Sequence, residues 1–301
     1  MRVFVLILAA SVPAMLNWSC PANAAPIQAA APAELRLPHI SIQSVGTGRP
    51  VILIPGLSTP RAVWSGIATD LARTHRVILV QVNGFAGDPA GENLKPGVLK
   101  GIVDDLHTYA VREKLDHPQI IGHSMGGLIA MMAASEHPQD FGSVMVVDAL
   151  PFAGVMFEEH ATVDAVRPLA AMLKTKLAAG YAGPEGAAAA AATAKGLTAK
   201  ADSAAAVEKW VLAANPQVAA EAMAEDLTTD LRPLLPSIKA HIVLVHPVTA
   251  FGKDPAQSDS FYRTQFEGAP DASFVAIPDS GHFIMLDQPE AFAEAVDAFV
   301  K

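Results

Sequence analysis

The sequence predicts an α/β protein whose mostly parallel sheet is flanked by helices. Short runs rich in valine and isoleucine alternate along the 301 residues with longer segments whose apolar residues recur at helical spacing. That alternation is typical of parallel strands joined by crossover helices. One apolar run also leads directly into a helical pattern through a turn bounded by Gly122 and Gly126. Together these patterns predict one large α/β core.

Each predicted strand is short and apolar on both faces, as strands covered by helices on both sides should be. The strands are predicted at 51–54, 76–82, 119–121, 143–147, 241–245 and 273–277. Helices are predicted between and after them at 61–73, 98–115, 125–136, 258–266 and 289–300. These elements assign the α/β core to residues 39–150 and 237–301.

Residues 151–236 interrupt the alternation of strands and helices. The segment is rich in alanine, with six alanines after Pro184-Glu185-Gly186, and its apolar residues recur at helical spacing. We therefore predict an inserted helical cap. The alternative is a partly disordered linker, but the segment also carries large apolar side chains that favour burial. These are Met172, Leu173, Trp210, Leu212 and Met223.

The N-terminus has the pattern of a secretory signal peptide over residues 1–24. Arg2 precedes an apolar stretch, and a small-x-small cleavage sequence ends at Ala24. We expect export to the periplasm or the cell exterior, with a Pro/Ala-rich spacer at 25–38. The single cysteine, Cys20, would leave with the leader, which excludes disulfides and thiol catalysis in the mature chain. Lipidation of Cys20 is the competing interpretation.

Composition limits the classes of partner. Charged residues make up 17% of the chain and hydrophobic residues 51%, which excludes a disordered protein. The formal net charge is -9, and no basic run could neutralise a phosphate backbone, so nucleic acid is not an expected partner. After the leader, no segment is long and apolar enough for a stable membrane anchor. We expect a small molecule as the partner, and the pattern does not fix the oligomeric state.

The turn Gly122-His123-Ser124-Met125-Gly126 carries the chemistry. It matches the G-x-S-x-G nucleophile elbow, with the strand before it and the helix after it that this motif requires. The turn is so sharp that small residues must flank it, and it lifts the serine hydroxyl out at the helix N-terminus. Ser124 is therefore the predicted nucleophile. The alternative is a serine that only caps the helix.

From about Val51 onward the chain resembles the α/β-hydrolase family, in its serine esterase or lipase-like branch with a helical cap. Besides the elbow, Val51-Ile-Leu-Ile-Pro-Gly-Leu resembles the strand and oxyanion loop of that family, with Pro55 where a histidine commonly stands. The resemblance implies an oxyanion hole formed by the backbone N–H groups of Leu57 and Met125. Such preoriented donors stabilise the negative charge of a tetrahedral intermediate.

Asp279-Ser280-Gly281-His282 resembles the catalytic-histidine loop of the same family. This implies that His282 is the general base, in the expected position after the last strand. We expect His123 to pack beside the serine. No histidine pair has a metal-ligand spacing such as H-E-x-x-H, so neither a metal nor a cofactor is predicted.

Two aspartates compete for the third catalytic position. This acid must accept the second imidazole N–H and stabilise the imidazolium. Asp148 stands at the end of strand 143–147, from which some relatives supply the acid. Asp254, in Gly252-Lys253-Asp254, resembles the loop after the next strand, although its approach is unusually long. We take Asp148 as the predicted acid and Asp254 as the alternative, with other acids such as Asp259 behind them.

A serine nucleophile attacks an acyl carbon, so the predicted reaction is hydrolysis of a carboxylic ester through an acyl-enzyme. The apolar cap, with Phe152, Met156 and Phe157, predicts a hydrophobic pocket over Ser124 for small or medium acyl groups. Amide, lactone and thioester cleavage would use the same residues. The alternatives are an acyltransferase, a haloperoxidase-like enzyme or a lyase on the same fold, and a non-catalytic binding protein.

Overall fold

The sheet has eight strands in the part of the chain that the computed structural model describes, residues 34–158, 160–248 and 254–301. The strands are β1 (Glu34–Arg36), β2 (Ile40–Val45), β3 (Arg49–Ile54), β4 (His75–Val82), β5 (Gln119–His123), β6 (Val144–Val147), β7 (Ile242–Pro247) and β8 (Ala272–Ile277). Their order across the sheet is β1-β2-β4-β3-β5-β6-β7-β8.

The sheet is mostly parallel, which confirms the predicted fold class. Only the pairs β1–β2 and β2–β4 are antiparallel in the described sheet. Ile54 pairs with Gly122, and His123 pairs with Val147, which pairs in turn with Val245. The carboxyl ends of β3, β5, β6 and β7 therefore meet at one edge, where open α/β sheets place their ligand sites.

The six predicted strands correspond to β3–β8, whereas β1 and β2 were not predicted. In β2 the Ile40-Ser41-Ile42-Gln43 sequence alternates, which is the signature of a strand with one polar face rather than two apolar ones. β1 lies inside the predicted spacer at 25–38, so the end of that spacer is an edge strand and not a linker. The predicted leader, Cys20 and the spacer up to residue 33 lie outside the described residues.

Helices follow most of the parallel strands. Those described are α1 (Ser65–Leu71), α2 (Val98–Arg112), α3 (Met125–Glu136), α4 (Val163–Ala178), α5 (Gly183–Leu197), α6 (Ala201–Ala213), α7 (Pro216–Thr228), α8 (Pro255–Gln265), α9 (Ile284–Asp287) and α10 (Pro289–Val300). α3 and α10 have their predicted bounds. The predicted helix at 61–73 instead begins as a 3₁₀ turn before α1. None of the described helices combines the length and apolarity needed to span a bilayer.

The core lies on both faces of the sheet. In β3, Ile52 and Ile54 belong to the apolar cluster that includes α2, α3 and part of α8, while Val51 and Leu53 belong to the cluster that includes α1 and α10. This is the period-two alternation of a strand buried on both sides. The carboxyl ends of the parallel strands, with the loops that follow them, are therefore supported by packed helices on both faces of the sheet.

Helices α4, α5, α6 and α7 occupy the segment between β6 and β7. α4 packs along α7, and α5 packs along α6. Leu173, Met223 and Trp210 pack against the two apolar clusters, as expected. Met172 and Leu212 do not, since they are 57% and 44% exposed.

A glutamate on α7 fastens this segment to the core. Glu225 accepts hydrogen bonds from the backbone N–H groups of Gly97, Val98 (3.1 Å) and Leu99 (2.9 Å). These are the first N–H groups of α2, which lack an acceptor inside their own helix. Gly97, the N-cap residue, has no side chain to supply one. Glu225 therefore serves as the cap of α2.

Candidate active site

Ser124 sits in a strained turn between β5 and α3. Its backbone angles are φ 54° and ψ −127°, outside the regions that non-glycine residues ordinarily adopt. A Cβ atom on Gly122 would lie 2.1 Å from the oxygen of Gly126, and one on Gly126 would lie 2.4 Å from the oxygen of Ile54. Only glycine fits at either position. The turn leaves Ser124 partly exposed between two buried neighbours.

Two backbone N–H groups stand at the start of α3 and in the adjoining loop. The close approach of Gly126 to the carbonyls of Ile54 and Pro55 brings the loop that contains Leu57 against the start of α3. Met125 is the first residue of α3, so its N–H has no acceptor within the helix. The Leu57 N–H makes no hydrogen bond to another described residue. Both donors are free to bind an oxyanion.

Of the two predicted acids, the structure brings Asp148 to His282. The Nδ1 atom of His282 donates to Oδ2 of Asp148 at 2.7 Å, and the Asp148 side chain is only 8% exposed. Asp148 follows β6 in a left-handed conformation (φ 45°) and donates its N–H to Val245 O at 2.8 Å. Asp254 instead forms the N-cap of α8, where its carboxylate accepts from the N–H of Gln257 at 2.9 Å.

The other oxygen of Asp148 also has a donor. The hydroxyl of Tyr262, on α8, donates a short hydrogen bond to Oδ1 of Asp148. Tyr262 is fully buried, and the centroid of its ring lies 4.4 Å from that of the His246 ring. Burial and the Asp148 charge raise the pKa of Tyr262, so its hydroxyl keeps its proton. No motif marks this tyrosine in the sequence, since only the fold brings α8 to the end of β6.

His123 packs beneath the histidine loop. Its Nε2 lies 3.0 Å from the carbonyl oxygen of His282, which can only accept, so Nε2 carries the proton. Its Nδ1 is buried and has no hydrogen-bond partner among the described residues. Burial, reinforced by His282, holds the pKa of His123 well below its ordinary value. A neutral ring therefore supports the loop from below.

A second buried carboxylate fixes the same loop. Asp287, fully buried, accepts from the N–H groups of Gly281 (2.9 Å), Ala199 (2.8 Å) and Lys200 (3.2 Å). The last two residues connect α5 and α6. One side chain thus ties the residue before His282 to the inserted segment, and the sequence carries no local signal for it.

Asp226, on α7, is the one described acid whose pKa is raised into the neutral range. Its side chain is half-buried and has no hydrogen bond or ion pair with a described residue. Burial raises the pKa of Asp226 to about 7, and the nearby charge of His282 acts in the opposite direction. An unpaired carboxyl from the inserted segment thus lies within electrostatic range of His282.

A cavity of about 310 Å³ opens beside the oxyanion loop. Ser58 lines it, together with mostly apolar residues of α4, α6, α7 and their connections, among them Leu177, Tyr181, Val211, Leu212 and Ala219. These residues were not predicted as a pocket.

The three aromatic and apolar residues predicted to cover Ser124 do not line this cavity. Phe152 follows β6 directly and is fully buried in the core, where the Arg232 guanidinium lies 4.5 Å above its ring. Met156 and Phe157 are 42% and 54% exposed. The apolar lining comes from the helices of the inserted segment instead.

Comparisons with known proteins agree with this architecture. The Alpha/beta hydrolase family profile matches residues 51–295. The chain is 30% identical over 112 residues to a pimeloyl-[acyl-carrier protein] methyl ester esterase of Aeromonas hydrophila. That match covers 37% of this chain, and it spans only 42% of the relative's length.

Solved structures show the same fold over most of the chain. An esterase from Exiguobacterium antarcticum superposes with a TM-score of 0.71 at 18% identity, covering 87% of this chain and 95% of the other. An enol-lactonase from Burkholderia xenovorans superposes with a TM-score of 0.69 at 18% identity, covering 87% and 96%. The eight-stranded sheet, the elbow and the family profile together show that the chain belongs to the alpha/beta hydrolase family.

Proposed function

We propose that this protein is a serine esterase that hydrolyses carboxylic esters of small or medium hydrophobic acids. Ser124 is the nucleophile, His282 the general base and Asp148 the acid. The observation that carries the proposal is the hydrogen bond between His282 Nδ1 and Asp148 Oδ2 at 2.7 Å, together with the elbow that holds Ser124, whose N–H donates to O of Val147, the residue before Asp148, at 2.9 Å. Family membership supports hydrolysis.

The proposed reaction has two halves. The Ser124 hydroxyl attacks the ester carbonyl while His282 takes its proton, and the oxyanion binds the N–H groups of Leu57 and Met125. The imidazolium then protonates the departing alkoxide, which leaves an acyl-enzyme. Water activated by His282 attacks the acyl-enzyme and releases the acid. Asp148 holds the imidazole tautomer and stabilises the imidazolium in both halves.

The cavity is lined by neither Ser124 nor His282, but it includes Ser58, the residue after Leu57, and in this position it supports the proposed substrate class. Its volume of about 310 Å³ suits a small or medium acyl chain, and its lining is mostly apolar. The net charge of -9 and the carboxyl of Asp226 disfavour an anionic acyl group. Two of the similar proteins are named as esterases, which supports ester hydrolysis. With the leader predicted at 1–24, we place this activity in the periplasm or outside the cell.

Steady-state and burst kinetics on p-nitrophenyl esters of graded chain length test the proposal, with Ser124→Ala as the control. We expect a burst of p-nitrophenol equal to the enzyme concentration where deacylation is slower than acylation, and hydrolysis that is lost in Ser124→Ala. Turnover that persists in the variant would exclude Ser124 as the nucleophile. A folded wild-type protein that hydrolyses none of the esters would argue for another use of the fold.

Two aspartate variants test the acid. Asp148→Asn should lower kcat by about 10⁴-fold, by analogy with the serine-protease triad. Asp254→Asn is the matched control, because asparagine caps a helix as well as aspartate does. It should leave kcat near the wild-type value. Equal losses in the two variants would overturn the assignment of Asp148.

A further inference from the structure

Three potential metal ligands meet at the end of α3 farthest from Ser124. His107 lies on α2, His137 immediately follows α3, and Asp140 lies in the next turn. One nitrogen from each histidine and one oxygen of Asp140 all lie within 4.8 Å of one another. Residues 107, 137 and 140 have no spacing that a sequence motif would detect, which is why the sequence predicted no metal site.

In the structure the Nδ1 of His107 donates a hydrogen bond to Asp140, and a metal ion would take the place of that proton. Oδ2 of Asp140 lies 2.6 Å from Nδ1 of His107 and 3.8 Å from Nδ1 of His137. Tetrahedral zinc, with bonds of about 2.0–2.2 Å, separates its ligand atoms by about 3.3 Å. The two distances lie on either side of that value, so a shift of the carboxylate oxygen by about 0.7 Å would bring both distances close to it.

The two imidazole rings are stacked, with centroids 4.0 Å apart and planes 8° from parallel. Their nitrogen lone pairs therefore lie in nearly parallel planes, and the rings must tilt toward each other before both nitrogens can point at one ion. The space for this motion is present on the solvent side, where the His107 side chain is 38% exposed and Asp140 28%. The same exposure leaves a coordination position for water.

His137 presents its Nδ1 atom to the cluster because its other nitrogen is enclosed. Nε2 of His137 is buried without a hydrogen-bond partner among the described residues. The backbone holds this histidine in place, since its N–H donates to Ala133 O at 2.9 Å and its carbonyl accepts from Asp140 N–H at 3.0 Å. Two of the three ligands are therefore positioned by one ordered turn.

The surrounding charges favour a cation. Lys100 lies near the N-terminus of α2. It forms ion pairs with Asp104 and with Glu136, the residue before His137. With Asp140, three carboxylates stand against one ammonium in this region. Imidazole nitrogens with a carboxylate oxygen suit zinc and the neighbouring divalent transition metals better than calcium or magnesium.

We propose that His107, His137 and Asp140 bind one divalent transition-metal ion of the zinc type, with water completing its shell. The ion would join α2 to the end of α3. The twelve residues of α3 place it roughly 18 Å from Ser124. Its role is therefore structural, and it is independent of the proposed esterase activity.

Calorimetric titration of the EDTA-treated full chain with Zn²⁺ tests the site, with Co²⁺ absorption as a spectroscopic probe of nitrogen ligation. The variants are His107→Ala and Asp140→Asn, and His75→Ala is the matched control, a histidine outside the cluster. We expect one Zn²⁺ site in the wild type, at least about 10-fold weaker binding in the two site variants and unchanged binding in His75→Ala. Zinc should also raise the unfolding temperature of the wild type.

Two results would overturn the proposal. One is a wild-type chain that shows no Zn²⁺ binding up to millimolar concentration. The other is binding that survives with equal affinity in both His107→Ala and Asp140→Asn. If one variant fails to fold, the other variant and the wild-type Co²⁺ spectrum still decide the question. Ester hydrolysis plays no part in these readouts.

Discussion

Asp148 receives hydrogen bonds on both carboxylate oxygens, from His282 on one and from Tyr262 on the other. A carboxylate with two fixed donors cannot rotate away from the imidazole. The hydroxyl of Tyr262 donates to Asp148, which in turn holds His282, so we assign Tyr262 a positioning role. Its effect should therefore appear in turnover and not in substrate affinity.

Tyr262→Phe removes the hydroxyl and keeps the ring. A hydrogen bond to a charged group contributes about 1.5–3 kcal/mol, so we expect kcat to fall by about 10-fold or more while KM stays near the wild-type value. Steady-state kinetics measure the two constants separately. Tyr109→Phe is the matched control. Tyr109 lies on α2, and its hydroxyl accepts a hydrogen bond from Arg76 on β4, away from Asp148. An unchanged kcat in Tyr262→Phe would contradict the positioning role.

The unpaired carboxyl of Asp226 gives a stability effect that depends on pH. Its pKa rises from the ordinary 3.8 to about 7 on folding, so between those values the folded chain holds a proton that the unfolded chain has lost. This group's contribution to the free energy of unfolding therefore decreases as the pH rises through that window, and stays low above it. The cost is that of a half-buried charge without a partner.

Asp226→Asn cannot ionise and should escape this cost. We expect the variant to gain about 1–3 kcal/mol in unfolding free energy relative to the wild type between pH 5 and pH 8. Urea midpoints at the two pH values measure the gain. Asp297→Asn, an exposed position on α10, is the control and should show no such gain. Parallel pH dependences for Asp226→Asn and the wild type would refute the raised pKa.

At the scale of elements, the start of α2 depends on a side chain from another helix. Gly97 cannot cap α2, and Glu225 on α7 does so across 126–128 residues of sequence. A cap supplied from a distant segment couples the formation of α2 to the docking of α7. The inserted segment is in this way part of the stability of the core.

Glu225→Ala should lower the free energy of unfolding by about 1–2 kcal/mol, the range found when a helix loses its N-cap side chain. Chemical denaturation followed by circular dichroism gives this value. Glu267→Ala, an exposed glutamate outside the helices, should change it by less than about 0.5 kcal/mol. Equal effects of the two substitutions would show that the three N–H groups find water as a sufficient acceptor.

The parallel strands were predictable because burial on both faces leaves runs such as Val51–Ile54 with almost no polar residue. β2 escaped prediction because its serines and glutamine alternate with the apolar residues. Ser124 and His282 could be selected as candidates from the sequence since each lies in a local motif. Asp148 and Asp254 could not be separated, and Tyr262 and Asp287 could not be found, because their partners are distant in sequence and meet only in the fold.

At the scale of the whole molecule, the net charge of -9 should discriminate between substrates. A neutral ester has no net charge on which the protein's electrostatic field can act, whereas an anionic ester is repelled as it approaches. The Debye length shortens from about 30 Å at 0.01 M salt to about 10 Å at 0.1 M, so salt should relieve the repulsion. The effect belongs to the rate of encounter.

A matched pair of esters measures this. We expect kcat/KM for mono-p-nitrophenyl adipate to be below that for p-nitrophenyl hexanoate at about 0.01 M salt, and to rise several-fold toward about 0.3 M. The neutral ester has the same leaving group and should show no such rise. An anionic ester that is preferred at low salt would point to a cationic subsite that the described residues do not display.

The hydrogen bonds of Asp287 also bear on where we expect the proposed substrate to enter. Lifting the inserted helices away at the α5–α6 connection would strip Asp287 of two of its three donors and leave a buried charge underpaired. The same movement would break the hydrogen bond from the Phe283 N–H to Leu197 O (3.3 Å), next to His282. The α5–α6 connection should therefore stay in place while substrate binds. We therefore expect the proposed ester to enter past Leu177 and Leu212, which line the cavity beside Ser58, while the hydrogen bonds of Asp287 stay intact.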